Sequence, residues 1–256
     1  MNFVVGYHTD VGIRKNVNQD AILIKTAKSP YGRIGLFVIC DGMGGLALGE
    51  VASSTAVRDI SIWFDEKLPD IDFDIADSEY IYNELSHLVS SINKKILSFG
   101  RKENKTLGTT LTLFLSVNDK YYIMQVGDSR AYRVGNEAEQ LTKDQTYVQR
   151  EVDRGNLTKE EAENHPRRNV LLQCIGAREE VEPVMSTGVI ENGEVYIVCS
   201  DGFYKKLKEK EIVLDFNALN LDNEKDITTK TKEVIERVKN RNERDNISAI
   251  AFKVVM

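Results

Sequence analysis

Histidine, cysteine, proline and tryptophan are all scarce in this chain: three, three, four and one among 256 residues. His8, His87 and His165 are not spaced as a ligand pair, which weighs against a zinc centre. Cys40, Cys174 and Cys199 form no Cys-x-x-Cys pair, and an odd count fits reduced thiols in a cytoplasm. There is no Pro/Gly/Ser-rich linker, repeat or low-complexity tract at which to divide the chain, so one domain over residues 1–256 is expected. The apolar stretch 34–40 is far short of the roughly 18 residues that cross a bilayer. The opening MNFVVGYHTD has neither a basic region nor a cleavage pattern, which predicts no secretory signal. An excess of positive charge is also lacking. Lys+Arg number 34 against 40 Asp+Glu, a net −6, without the basic clustering of a nucleic-acid-binding surface. The expectation is a soluble, cytoplasmic protein without membrane or nucleic-acid partners.

What is present is a series of apolar or alternating runs that predict strands over 2–8, 20–26, 33–40, 109–116, 120–126, 130–134, 184–189, 194–199 and 247–255. Helices are predicted over 47–64, 78–99 and 225–240. The second carries Ile81, Leu85, Leu88, Ile92 and Ile96 at spacings of three or four. Long helices do not alternate with strands, so a doubly wound parallel sheet fits poorly. The runs 109–116 and 120–126 read as an antiparallel hairpin. The pattern predicts an α+β fold of four layers, α-β-β-α, with two mostly antiparallel sheets face to face and helices on both outer faces. Residues 65–79, rich in Asp, read as a solvated linker. Residues 144–180 read as a polar surface excursion of short helices, or as a lid beside a site.

The most informative feature is aspartate at strand ends. Asp41 follows IGLFVIC and precedes Gly42; Asp201 follows EVYIVCS and precedes Gly202; Asp128 follows YYIMQVG; Asp245 precedes Asn and ISAIAF. One Asp-Gly is only a turn dipeptide, but four at the ends of core strands can converge. Two carboxylates 4 Å apart repel by about 4 kcal/mol at an effective dielectric of 20. A converging set must therefore protonate or hold cations. All-oxygen ligands with a glycine carbonyl suit Mg²⁺ or Mn²⁺, and paired ions of this kind commonly serve phosphoryl hydrolysis. Other phosphatase chemistries are missing. The residues six after each cysteine are Leu46, Glu180 and Lys205 rather than Arg, and no Gly-x-Ser-x-Gly elbow occurs. Gly42-Met-Gly44-Gly-Leu-Ala47 satisfies a dinucleotide pattern, but Asp41 would face the pyrophosphate and the strand–helix–strand alternation is absent. Gly49 is followed by Glu50-Val51, so there is no nucleotide P-loop.

With these residues in view, the chain resembles the metal-dependent Ser/Thr protein phosphatases of the type 2C (PPM) family, in bacterial form. The resemblance rests on eight segments in order. They are Asp10-Val-Gly-Ile-Arg-Lys-Asn-Val-Asn18-Gln19-Asp20, DGMGGLALGEVAS from Asp41, Leu107-Gly-Thr-Thr110, Val126-Gly-Asp-Ser-Arg-Ala-Tyr132, Leu141-Thr-Lys-Asp144, His165-Pro-Arg-Arg-Asn169 through Gly176, Cys199-Ser-Asp-Gly202 and Asp245-Asn-Ile-Ser248.

The resemblance implies a β-sandwich carrying two Mn²⁺ or Mg²⁺ ions at one end. Asp41 would bridge them and the Gly42 carbonyl would bind one, with Asp201 and Asp245 completing the pair and Asp20 holding ordered water nearby. Asp128 would join Asp201 on a third, weaker ion. A bridging water or hydroxide would attack phosphorus in phosphoserine or phosphothreonine of proteins, reversing a bacterial Ser/Thr kinase, and the protein is expected to be a monomer. Residues 144–180 would be the flap, which His165 braces. Two departures stand out. Lys15, with Arg14 beside it, occupies the position of the usual phosphate-holding Arg, and Lys lacks Arg's bidentate fork. Leu46 replaces a His often found after the double Gly, and Met43 stands where some relatives carry a His. Cys40 and Cys199 read as core residues. The competing reading is a catalytically weak, phosphatase-like module that binds phosphoproteins; loss of a metal aspartate would mark it, and none is lost.

Overall fold

The computed structural model describes residues 2–44 and 48–255. The chain begins β1 (Asn2–Asp10), β2 (Asp20–Ser29), β3 (Gly32–Gly44), α1 (Leu48–Glu66) and α2 (Ser78–Lys102). Next come β4 (Leu107–Thr109), β5 (Leu111–Val117), β6 (Lys120–Val126), β7 (Arg130–Val134), β8 (Ala138–Gln140), α3 (Tyr147–Asp153) and α4 (Lys159–Asn164). It ends with β9 (Val184–Val189), β10 (Val195–Cys199), α5 (Asp201–Tyr204), α6 (Glu209–Asp215), α7 (Glu224–Asn240) and β11 (Ile247–Val255).

Two antiparallel sheets result, ordered β1-β11-β10-β7-β8 and β2-β3-β5-β6-β9, with β4 beside β3. The two-residue period of a strand explains how they layer. In β3, Phe37 and Ile39 join a core between the sheets, whereas Ile34, Leu36, Val38 and Cys40 turn outward onto α1 and α2. In β11, Ile250, Phe252 and Val254 face inward while Ala249 and Ala251 meet residues of α5 to α7. Both faces of the central strands are covered, so they read as continuous apolar runs. The inner core is aromatic at its centre. Phe252 stacks on Phe37 at 3.8 Å between centroids and on Tyr196 at 5.4 Å. This is the four-layer α+β architecture expected from the sequence.

The differences are local and have physical causes. β3 does not stop at Cys40 but continues through Asp41 to Gly44, because β4 pairs with that extension (Gly42 opposite Thr109). Asp41-Gly42 is therefore extended and not a turn. The run 109–116 is split at Thr110, which bonds to Asp41 instead of continuing the ladder: its amide donates to the Asp41 carbonyl at 2.9 Å, and its hydroxyl accepts from the Asp41 amide at 2.9 Å. Residues 65–79 are not simply a solvated linker. Leu68 and Ile71 are buried against the α1–α2 core, and Phe73 packs edge-on to Tyr31 at 5.7 Å. Cys40 and Cys199 are buried core thiols as expected. No helix among the described residues is long and apolar enough to cross a membrane.

Phe252→Ala removes the ring shared by the inner stack. It is expected to cost about 3–5 kcal/mol in urea-induced unfolding; a loss below about 1 kcal/mol would contradict this view of the core.

Candidate active site

The two sheets meet at one end, where β2 begins, β3 runs out, β10 ends and β11 starts. Asp20 and Asp41 are direct partners in the β2–β3 register. Asp201 follows β10 as the first residue of α5, and Asp245 lies just before β11. Ser200 fastens the sheets to each other: its hydroxyl donates to Asp20 Oδ2 at 2.8 Å and accepts from the Ser248 amide at 3.0 Å. The Ser248 hydroxyl is 2.7 Å from that of Thr9, which accepts from Asn18 Nδ2 at 2.7 Å.

Close backbone approach fixes Gly42. A Cβ there would lie 2.2 Å from the carbonyl oxygen of Gly49 in α1 and 2.5 Å from that of Gln19, and its amide donates to Gln19 at 3.1 Å. Only a residue without a side chain lets α1 and the β2 entry press on β3 at this point. Met43 sits in the same extension, opposite Gly108; Leu46 lies outside the described residues.

Burial raises the carboxyls. Asp41 is pushed well above the usual carboxylate range, first by desolvation and then by the charges of Asp20 and Asp201. Asp20 is pushed up to about 7 by burial, with hydrogen bonds from Ser248 and Ser200 pulling the other way. Asp128, 4% exposed, is also pushed to about 7, by burial and then by the Asp201 charge. Oδ1 of Asp20 and Oδ1 of Asp201 are buried with no hydrogen-bond partner. Unpaired hard oxygens among crowded carboxylates suit a divalent cation. As the side chains stand, no three His, Cys, Asp or Glu among the described residues close round a common point. Two ammonium groups stand among them instead: Lys15 Nζ is 2.8 Å from Asp245 Oδ1, and Lys205 pairs with Asp201 Oδ2.

Lys15 is thus brought to the site. Arg14 is exposed and has no ion pair among the described residues. The Lys15 loop is held by Asn246, 3% exposed, whose Oδ1 accepts from the Gln19 amide at 3.0 Å and whose Nδ2 donates to the carbonyls of Val11 and Val17 at 2.9 and 3.1 Å. In the sequence Asn246 is only part of a motif and Lys205 belongs to none; the signals for them are a polar residue directly after Asp245 and a Lys four residues after Asp201.

The 144–180 excursion starts from a forked ion pair. Arg130 Nε and Nη2 donate to the two oxygens of Asp144 at 2.8 and 2.7 Å while its guanidinium lies 3.7 Å from the Tyr204 ring centre. Asp128 is fixed alongside, its carbonyl accepting from the Tyr204 hydroxyl at 3.1 Å. The far end is tied where Ile175 and Thr109 exchange amide bonds and where Asn93 accepts from the Gly176 amide at 2.7 Å. His165 is within the excursion, its ring 5.6 Å from Tyr147 and its Nδ1 accepting from the Arg167 amide. His8 and His87 are not part of the rim.

Between about pH 4 and 7 the folded, metal-free protein holds more protons on Asp20 and Asp128 than the unfolded chain, so this contribution to stability falls as pH rises through that window. In chelator, the wild type is expected to lose melting temperature from about pH 5 to about pH 7.5 relative to the Asp20→Asn/Asp128→Asn double variant. Parallel pH profiles for the two proteins would refute the assignment.

Comparison with known proteins agrees with this geometry. The family model described as Protein phosphatase 2C matches residues 12–241. Over 207 residues the chain is 32% identical to the protein phosphatase PhpP of Streptococcus pneumoniae serotype 2, covering 80% of each. The structure superposes on that of the S. agalactiae serine/threonine phosphatase with a TM-score of 0.84 and 30% identity, covering 99% of this chain and 100% of that one. The catalytic domain of the serine/threonine phosphatase PstP, solved with two manganese ions, matches with a TM-score of 0.79 and 27% identity over 100% of both chains. The aspartate rim, the four layers and these likenesses point the same way: the chain belongs to the protein phosphatase 2C family, in the form taken by bacterial serine/threonine phosphatases.

Proposed function

We propose that this chain, acting as one catalytic domain and as a monomer in the cytoplasm, hydrolyses phosphoserine and phosphothreonine in proteins and so opposes a bacterial Ser/Thr kinase. The observation that carries the reading is the set Asp20, Asp41, Asp201 and Asp245 at one rim, two of them with a buried, unpaired oxygen. Asp41, the Gly42 carbonyl, Asp201 and Asp245 would hold two Mn²⁺ or Mg²⁺ ions here, with Asp20 beside them. The carboxylates would turn toward such ions about their side-chain bonds, their backbones staying in place around the rim. When bound, such a pair lowers the pKa of a water molecule and neutralises charge on phosphoryl oxygens.

The remaining work falls to the chain. Asp20 keeps Oδ2 on Ser200 and leaves Oδ1 free to accept from water at the rim. Lys15, half-exposed and bonded to Asp245, is the cation that a phosphoryl group meets on entering; it offers a point charge rather than a fork. Arg14 points to no partner in the rim, which favours Lys15 as the phosphate contact. The excursion 144–180, tied at both ends, forms the wall on the Asp201 side and serves as the flap. A regulatory module that binds without turnover has no support here, because every acidic member of the set is present.

Purified protein is expected to hydrolyse a phosphothreonine peptide with Mn²⁺ or Mg²⁺ and to stop in EDTA. Asp201→Asn should lose at least about 100-fold in turnover, and a variant within tenfold of wild type would exclude Asp201 as a ligand. Lys15→Ala should raise KM for the peptide more than Arg14→Ala does; the opposite order would move the phosphate contact to Arg14.

A further inference from the structure

We infer that Lys205 is an internal cation standing where a third metal ion would sit between Asp128 and Asp201, so that the centre of this chain takes two ions and not three. The inference deepens the two-ion reading above and rests on it.

Lys205 caps the C-terminal end of α5, four residues beyond Asp201, and its ammonium donates to Asp201 Oδ2 and, at 3.0 Å, to Asn169 Oδ1 of the flap. The side chain is largely buried, and the acidic groups that act on its charge are Asp201, Asp128 and Asp41. Lys205, then Arg130, are the cations whose charge acts on Asp128, and Arg130 spends both its forked bonds on Asp144. The two oxygens of Asp201 are therefore divided. Oδ2 accepts from the lysine, while Oδ1 is buried and unpaired, free for an ion shared with the other aspartates.

A divalent ion on Asp128 and Asp201 would have to share Asp201 Oδ2 with a tethered ammonium or expel it from a largely buried position. Both are opposed by repulsion between like charges at close range. A covalently attached cation also needs no recruitment from solution, so its local concentration is fixed by the chain. The lysine supplies one charge where an ion would supply two, and it holds no water for chemistry. Its role is positioning: it keeps Asp201 oriented and joins that orientation to Asn169 in the flap.

The test counts ions rather than turnover. Calorimetric titration with Mn²⁺, checked by electron paramagnetic resonance of the free ion, is expected to give two ions per chain for the wild type. Lys205→Ala should gain a third, weaker ion, and adding Asp128→Asn should return the count to two. Asp128→Asn alone should leave the wild-type count at two, a control that does not depend on the lysine variant folding. Three ions in the wild type, or a third ion lost on Asp128→Asn alone, would overturn the inference. So would a folded Lys205→Ala variant that still binds two. A wild type that binds no Mn²⁺ would remove the two-ion reading beneath it, an outcome distinct from a count of three.

Discussion

Mutual repulsion among aspartates is the constraint around which this end of the molecule is organised. Asp20, Asp41, Asp128, Asp201 and Asp245 come from both sheets and crowd one rim, and burial plus neighbouring charge raises Asp20, Asp41 and Asp128. Such a cluster gains nothing for folding by itself. It persists because the strands that deliver it are held by the three apolar cores, the inner one stacked on Phe252. Stability made in the sandwich is what allows a costly charge arrangement at its edge.

The polar atoms that fix the rim are mostly neutral. Ser200, Ser248, Thr9, Thr110 and Asn246 bond to backbone groups, to carboxylates or to one another without adding charge, so they orient the aspartates while leaving their repulsion for a cation to relieve. Ser129 extends the same device: its hydroxyl is 2.8 Å from that of Thr110, joining the Asp41 strand to the turn carrying Asp128. Charged fasteners lie one step outward. Arg130 and Asp144 anchor the flap, and Lys15 and Lys205 pair with the rim itself.

The layer order and long helices were legible because they depend on periodicity. Runs covered on both faces, such as 34–40, and the spaced apolar face of α2 survive as strands and helix with only their ends adjusted. The acidic rim was legible because aspartate at four strand ends is unusual enough to suggest convergence. What stayed hidden depends on contacts distant in sequence. That β3 continues through Asp41 depends on β4, and no local pattern at 107–109 announces three paired residues. Leu68, Ile71 and Phe73 sit within an acidic stretch whose composition masks their anchoring. Asn246 reads as one polar residue among many until its three partners, more than two hundred positions away, are in place.

The Asn246 bracket has a consequence for the order in which the protein can come into being. β1 pairs along its whole length with β11, and the Lys15 loop is tied down by a residue more than two hundred positions further along the chain. Contacts of such separation form late, after the loop-closure cost of the intervening chain has been met. A chain lacking residues 245–255 keeps β2, β3, β5 and β6 with the α1–α2 layer, yet it has no Asp245, no bracket and no edge partner for β1. The rim is thus completed only once residues 245–255 have docked, and a chain stopped short of them lacks the full set of aspartates.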